Sequence, residues 1–181
     1  SSNIFSYDDV PPTSGIITPP NNEAYSTIKV LSTISGTAAD DFSGVTGGKI
    51  KIWFLGDAND WSLPGGTSYY WTGVSWSSQS VYELGVSSLT YDWSYWYYTA
   101  SFDWKNQKVH YVNIRMYDLA GNIQPLGVTH AFKYDTTSPN VTISVPQPAS
   151  FWGPANNLTT ISGQATDEFS GVDRVWVQIK N

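Results

Sequence analysis

The chain has no cysteine and a single methionine among its 181 residues. That removes disulfides, thiol catalysis, zinc–thiolate clusters and iron–sulfur sites together. Basic residues are also scarce: nine Lys and Arg face fifteen Asp and Glu, for a net charge of −6. With no basic footprint to neutralise phosphates, neither nucleic acid nor an anionic membrane surface is an expected partner. Long hydrophobic runs are missing too. The longest are four residues, such as Tyr95 to Tyr98, against roughly 20 needed to span a bilayer, so membrane insertion is not expected. Helical periodicity is absent throughout. The first ten residues, SSNIFSYDDV, lack the basic start and apolar stretch of a signal peptide, which fits an intracellular chain, a processed one or a piece of a longer one. What is abundant is aromatic and hydroxylated: 7 Phe, 9 Trp and 12 Tyr, with 40 Ser plus Thr. A hydrophobic fraction of 40% is ample for a core and argues against disorder.

The chain repeats itself. FSYDDVPP from Phe5 superimposes on FKYDTTSP from Phe132, and the same offset of 127 aligns TISGTAADDFSGV from Thr33 with TISGQATDEFSGV from Thr160. Of the 50 positions from Phe5 to Phe54, 18 are identical to their partners without a gap. A period this long is that of a whole domain, so the pattern reads as a tandem array of globular modules. Residues 1–11 match the end of one module, 12–135 form a complete one, and 139–181 match the first part of the next. The repeat favours a processed chain or a piece of a longer one.

Within the module the signal is β throughout, with alternation in KIKIWF from Lys49, VHYVNIRMYD from Val109 and HAFKYD from His130. Turn chemistry separates these runs at Pro19 to Asn22, Ser43-Gly44, Gly47-Gly48, Pro64-Gly65-Gly66 and Leu119 to Asn122. Strands are expected near 14–18, 31–39, 48–55, 68–72, 75–82, 91–102, 109–118 and 127–135. In the 91–102 strand, Trp93, Tyr95 and Tyr97 fall on one face and Trp96, Tyr98 and Phe102 on the other, which predicts packing on both. The predicted fold is all-β, an antiparallel sandwich.

Four segments carry a family likeness: the junction residues Tyr134, Asp135 and Pro139, ISGTAADDFSGV from Ile34 to Val45, YYWTGVSW from Tyr69 to Trp76, and RMYDLAGN from Arg115 to Asn122. In these the chain resembles the tandem immunoglobulin-like or fibronectin-III-like repeats of large bacterial surface proteins. The resemblance implies an immunoglobulin-like sandwich and an extracellular or cell-surface setting. It does not single out a function, since such modules serve as spacers, adhesins, filament subunits and enzyme accessories. One departure is that His110 stands where the family spacing from Asp118 puts a tyrosine, with Tyr111 beside it. A one-residue bulge or a replaced tyrosine corner would account for that.

No catalytic constellation emerges. The two histidines, His110 and His130, fall in expected strands, and no hydrolase or metalloprotease signature surrounds them. Asp40, Asp41, Asp92, Asp103 and Asp118 supply carboxylates, but nothing sets apart an opposed pair of the kind glycoside hydrolysis needs. An enzyme is not expected. Eleven aromatics from Tyr69 to Tyr98 serve a core, a subunit contact or a sugar platform. No cofactor is expected beyond structural Ca²⁺, for which Asp8, Asp40, Asp41 and Asp118 are candidates beside turns and the module junction; the competing reading is that they cap those turns. Asn140-Val-Thr142 and Asn157-Leu-Thr159 are N-glycosylation sequons.

The flanking pieces suggest a way to assemble. Residues 139–181 hold the counterparts of three strands and leave an uncovered core, while residues 3–9 match the last strand of a module. A half sandwich with an open edge invites pairing with another chain. The expectation is a structural, non-enzymatic filament in which Phe5 and Tyr7 of one copy enter the half-module of another, head to tail. The alternatives are a segment of a long tandem adhesin or stalk, and a carbohydrate-binding module.

Overall fold

The computed structural model describes residues 3–57, 65–79, 81, 83–125 and 127–180. Among them none is helical, and thirteen strands form antiparallel sheets apart from one parallel pairing. The first sheet holds β1 (Thr13–Thr18), β3 (Thr33–Ala39), β9 (Tyr95–Thr99) and β8 (Ser87–Ser88), in the order β1-β3-β9-β8. The second is ordered β2-β11-β10-β4-β5-β6, from β2 (Glu23–Tyr25), β11 (Val128–Tyr134), β10 (Lys108–Asp118), β4 (Val45–Leu55), β5 (Ser68–Trp71) and β6 (Trp76–Ser77). A short β7 (Leu84–Gly85) also pairs with β4.

Alternation explains why these segments are strands and which face each sheet buries. Ile34, Gly36 and Ala38 of β3 point inward with Ile50, Ile52 and Phe54 of β4 and Val112, Ile114 and Met116 of β10. Burying a side chain of this size contributes about 1.5–3 kcal/mol. The largest buried groups are aromatic: Trp71, Trp96, Phe54 and Phe132. Among the described residues seven aromatics are buried in the core and five more pack against it.

The repeat recurs as structure. β12 (Asn140–Val145) and β13 (Ser162–Thr166) pair Asn140 with Thr166, as β1 and β3 pair Thr13 with Ala39 127 residues earlier. The irregularity in register between Ile16 and Thr18 returns between Ile143 and Val145. Gly36 and Gly163 are both close-approach sites: a β-carbon would lie 1.9 Å from the Gly15 carbonyl oxygen at the first and 2.1 Å from that of Thr142 at the second.

Several strand expectations are corrected. The run 91–102 is a strand only over Tyr95–Thr99, because residues 88–94 close on themselves. The Thr90 N–H donates to the Ser88 hydroxyl, the Ser94 N–H to the Asp92 carboxylate and the Tyr95 N–H to the Thr90 hydroxyl, and Trp93 takes a φ of 60°. Trp93 therefore leaves the strand yet still packs on the core with Trp96 and Tyr98, while Tyr95 and Tyr97 take no part in it. The expected strand 75–82 shrinks to Trp76–Ser77; its residues 80 and 82, like Pro64 of the expected turn, lie outside the described residues. Residues 3–9 form no strand, nor do 172–180, the counterpart of β4. Strand β2 went unread because three residues in a parallel pairing with β11 leave no local pattern. Opposite His110 the ladder to β4 is regular; its irregularity lies between Tyr117 and Asp118, where the partners pass from Gly47 to Val45 and the extra residue is on β4. The imidazole Nε2 accepts the Lys105 N–H at 3.3 Å, tying the preceding loop to the strand.

Candidate functional site at the module junction

The contacts that tie the N-terminal segment to the loops after β3 and β10 centre on Asp8. Its Oδ1 accepts the Val10 N–H at 3.0 Å and its Oδ2 the Ser43 N–H at 3.1 Å, while its carbonyl accepts the Asn122 side-chain amide at 3.1 Å. The loop it meets is built by Asp40, whose Oδ1 accepts the N–H groups of Phe42 at 3.1 Å and Gly44 at 2.7 Å. Gly44 sits at φ 86°, in the left-handed region that favours glycine. A second loop is closed by Asp118, which is 3% exposed and takes the Asn122 backbone N–H at 2.7 Å and the Asn122 side-chain amide at 2.8 Å. The linker is thereby pinned between two loops of one module end. Beside it lies a depression of about 400 Å³ lined by Ser6, Asp8, Phe42, Ser43, Leu119 and Ala120.

The arrangement is duplicated 127 residues further along the chain. Asp135 accepts the N–H groups of Thr137 at 2.9 Å and Ser170 at 3.2 Å. Asp167 accepts those of Phe169 at 3.2 Å and Gly171 at 2.7 Å, and Gly171 sits at φ 85°. Each of these four bonds is the Asp8 or Asp40 bond shifted by 127 residues. Lys133 adds a contact of its own: its ammonium donates to the Phe169 carbonyl at 2.5 Å and lies 5.2 Å from the centre of that ring. Hydrogen bonds favour the charged form of one acid at each junction, Asp8 and Asp167. Ser43 and then the Val10 N–H draw the Asp8 carboxyl below its usual range, and the Gly171 N–H leads the same effect at Asp167.

Three of the four calcium candidates converge: carboxylate oxygens of Asp8, Asp40 and Asp118 lie within 4.8 Å of one another. Hard oxygen donors so placed suit a hard divalent cation, yet each carboxylate also caps a turn, and the cluster alone does not assign a metal. Asp41 is exposed and stands outside that group. Phe5 and Tyr7 are 87% and 77% exposed. Asn140 and Asn157 are exposed as well. The structure does not join the two histidines: His110 is fully buried, and His130 lies on Pro19, with Nδ1 2.8 Å from its carbonyl. Ser43 and Asn122 were missed from the sequence because they contribute a backbone N–H and an amide; the recurring FSG turn and the single LAGN turn were their signal.

No protein-family model matches the chain, and no curated protein does. Among solved structures, CopC from Methylosinus trichosporium OB3b is similar with a TM-score of 0.39 and 12% identity, over 69% of this chain and 96% of CopC. A likeness at that level carries no argument about function.

Proposed function

We propose that the chain is a non-enzymatic structural segment of an extracellular or cell-surface protein, in which tandem immunoglobulin-like modules are held at fixed spacing by clasped junctions. The observation that carries this reading is the duplication of the clasp: the same four carboxylate-to-amide hydrogen bonds occur at Asp8 and Asp40 and again at Asp135 and Asp167. A linker with two carboxylate oxygens and a carbonyl tied down is no free hinge, and stacked modules with regular contacts make a stiff spacer.

The second reading, a homopolymer built by strand complementation, is favoured by the exposure of Phe5 and Tyr7, whose counterpart Phe132 is fully buried. Shifting the β11–β2 register by 127 would set Phe5 opposite Ser150 and Tyr7 opposite Trp152. In the complete module, however, β11 also pairs with β10 over seven residues, and residues 139–181 hold no counterpart of β10. A donated strand would gain only a three-residue parallel ladder. Sedimentation of the chain beside its Phe5→Asp/Tyr7→Asp variant separates the two. The clasped-module reading expects any self-association to be the same in both; association abolished by the variant would favour complementation.

A further inference from the structure

The outward face of the first sheet carries no charge. Its residues are Thr13, Gly15 and Ile17 of β1, Thr33, Ser35 and Thr37 of β3, Tyr95, Tyr97 and Thr99 of β9, and Ser87 of β8. The outward face of the second sheet, by contrast, bears Lys49, Lys51, Arg115 and Lys133, four of the nine basic residues. In a chain of net charge −6, a face free of charge suits a ligand that is itself neutral.

Its relief is as specific as its charge. Register places Tyr95 beside Thr37 and Tyr97 beside Ser35, with Ser87 on the other flank of Tyr97. Beyond Thr37 the row ends on Gly15, which has no side chain. Two tyrosines two residues apart on one strand stand roughly 7 Å apart, as a wall along a floor of short hydroxylated residues about 4.8 Å away on the next strand. Tyr95 is half exposed. In the adjoining hairpin, held by the Ser88, Thr90 and Asp92 bonds, Tyr91 is fully in solvent. Rings flanked by hydroxyls meet the two faces of a pyranose: its C–H face stacks on the ring and its hydroxyls exchange hydrogen bonds with Ser and Thr.

We infer that this face binds a neutral polysaccharide, lying along β3 against Tyr95 and Tyr97. The second sheet offers no equivalent, since Trp53 and Tyr111 stack on each other at 5.2 Å and 18° and Lys51 lies over the Trp53 ring. Affinity electrophoresis in gels carrying hydroxyethyl cellulose, galactomannan or soluble starch, with alginate as the anionic control, is the test. At least one neutral polymer should retard the chain and alginate should not. Tyr95→Ala/Tyr97→Ala should weaken retardation at least tenfold, Thr37→Glu should abolish it, and Lys51→Ala should leave it unchanged. Both tyrosines point away from the core, so an unchanged melting temperature checks that the double variant is folded. No retardation by any neutral polymer overturns the inference, as does retardation that survives the double variant. So would a concentration-dependent dimer that the double variant dissolves, since the face would then belong to a second copy.

Discussion

Replacing Gly36 by alanine is expected to destabilise the complete module more than an ordinary overpacked core, for which losses of about 1–3 kcal/mol are usual. The added methyl would sit 1.9 Å from the Gly15 carbonyl oxygen and 2.5 Å from the Trp96 ring. A flexible side chain could swing away from such a contact, but here one neighbour is the backbone of β1 and the other an indole with no exposed surface, held by its N–H to the Thr37 carbonyl at 3.1 Å. Relief requires β1 to leave β3. Against a total stability of about 5–15 kcal/mol for a domain, that is a large fraction, and thermal unfolding followed by near-UV circular dichroism should show a fall in melting temperature of about 10 °C or more. Gly163→Ala repeats the change at the second copy, where the Thr142 carbonyl takes the place of Gly15. It should loosen β12 from β13 and leave the melting of the complete module nearly unchanged. An unaltered melting temperature for Gly36→Ala would show that the close approach of β1 and β3 is wrong.

Acid should unfold the module through His110. The ring is fully buried and packed by Phe54, Trp76, Trp104 and Phe132 at 5.0–5.5 Å between centroids. Burial above all pulls its pKa from 6.5 down to about 3, and the nearby cations of Lys105 and Lys108 push the same way. With Nε2 accepting from Lys105, the proton of the neutral ring sits on Nδ1, which has no partner. A histidine whose folded pKa is depressed is protonated first in the unfolded chain, so stability drains away as pH falls from about 6.5 toward 3. The slope is about 1.4 kcal/mol per pH unit, or close to 3 kcal/mol lost at pH 4.5. The carboxylates of Asp8, Glu23, Asp92 and Asp167, held below their usual range, add their loss only at lower pH. Denaturant melts of the chain and of His110→Phe at pH 7.0 and 4.5 check this: the variant should lose most of the difference between the two. An equal acid loss in both proteins would place the sensitivity elsewhere.

How much of this was legible depends on the range of the interaction. Strands β1, β3, β4, β10 and β11 show in the sequence because each buries one face and alternates, and the repeat anticipates that β12 and β13 copy β1 and β3. What stayed hidden depends on partners distant in sequence or on competition with the ladder. Residues 91–94 look like strand by composition, yet the Asp92, Thr90 and Ser88 oxygens capture the backbone N–H groups that a strand would offer its neighbour. At the junction, Asp8, Asp40 and Asp118 were legible as acids next to turns. That Asp41 faces away follows from the direction of one side chain, which no spacing rule fixes. The partners of these acids are mostly backbone amides, whose identity sequence does not encode.

The clasped junction is tested most directly by its geometry in solution. Spin labels at the exposed positions Thr129 and Asn157, one on each side of the second junction, report the distribution of distances between them. A fixed clasp predicts one narrow distribution for the otherwise unaltered chain, and a broad one when Asp135→Ala releases the amides of Thr137 and Ser170. A broad distribution before that substitution, or one that the substitution leaves unchanged, would contradict the account.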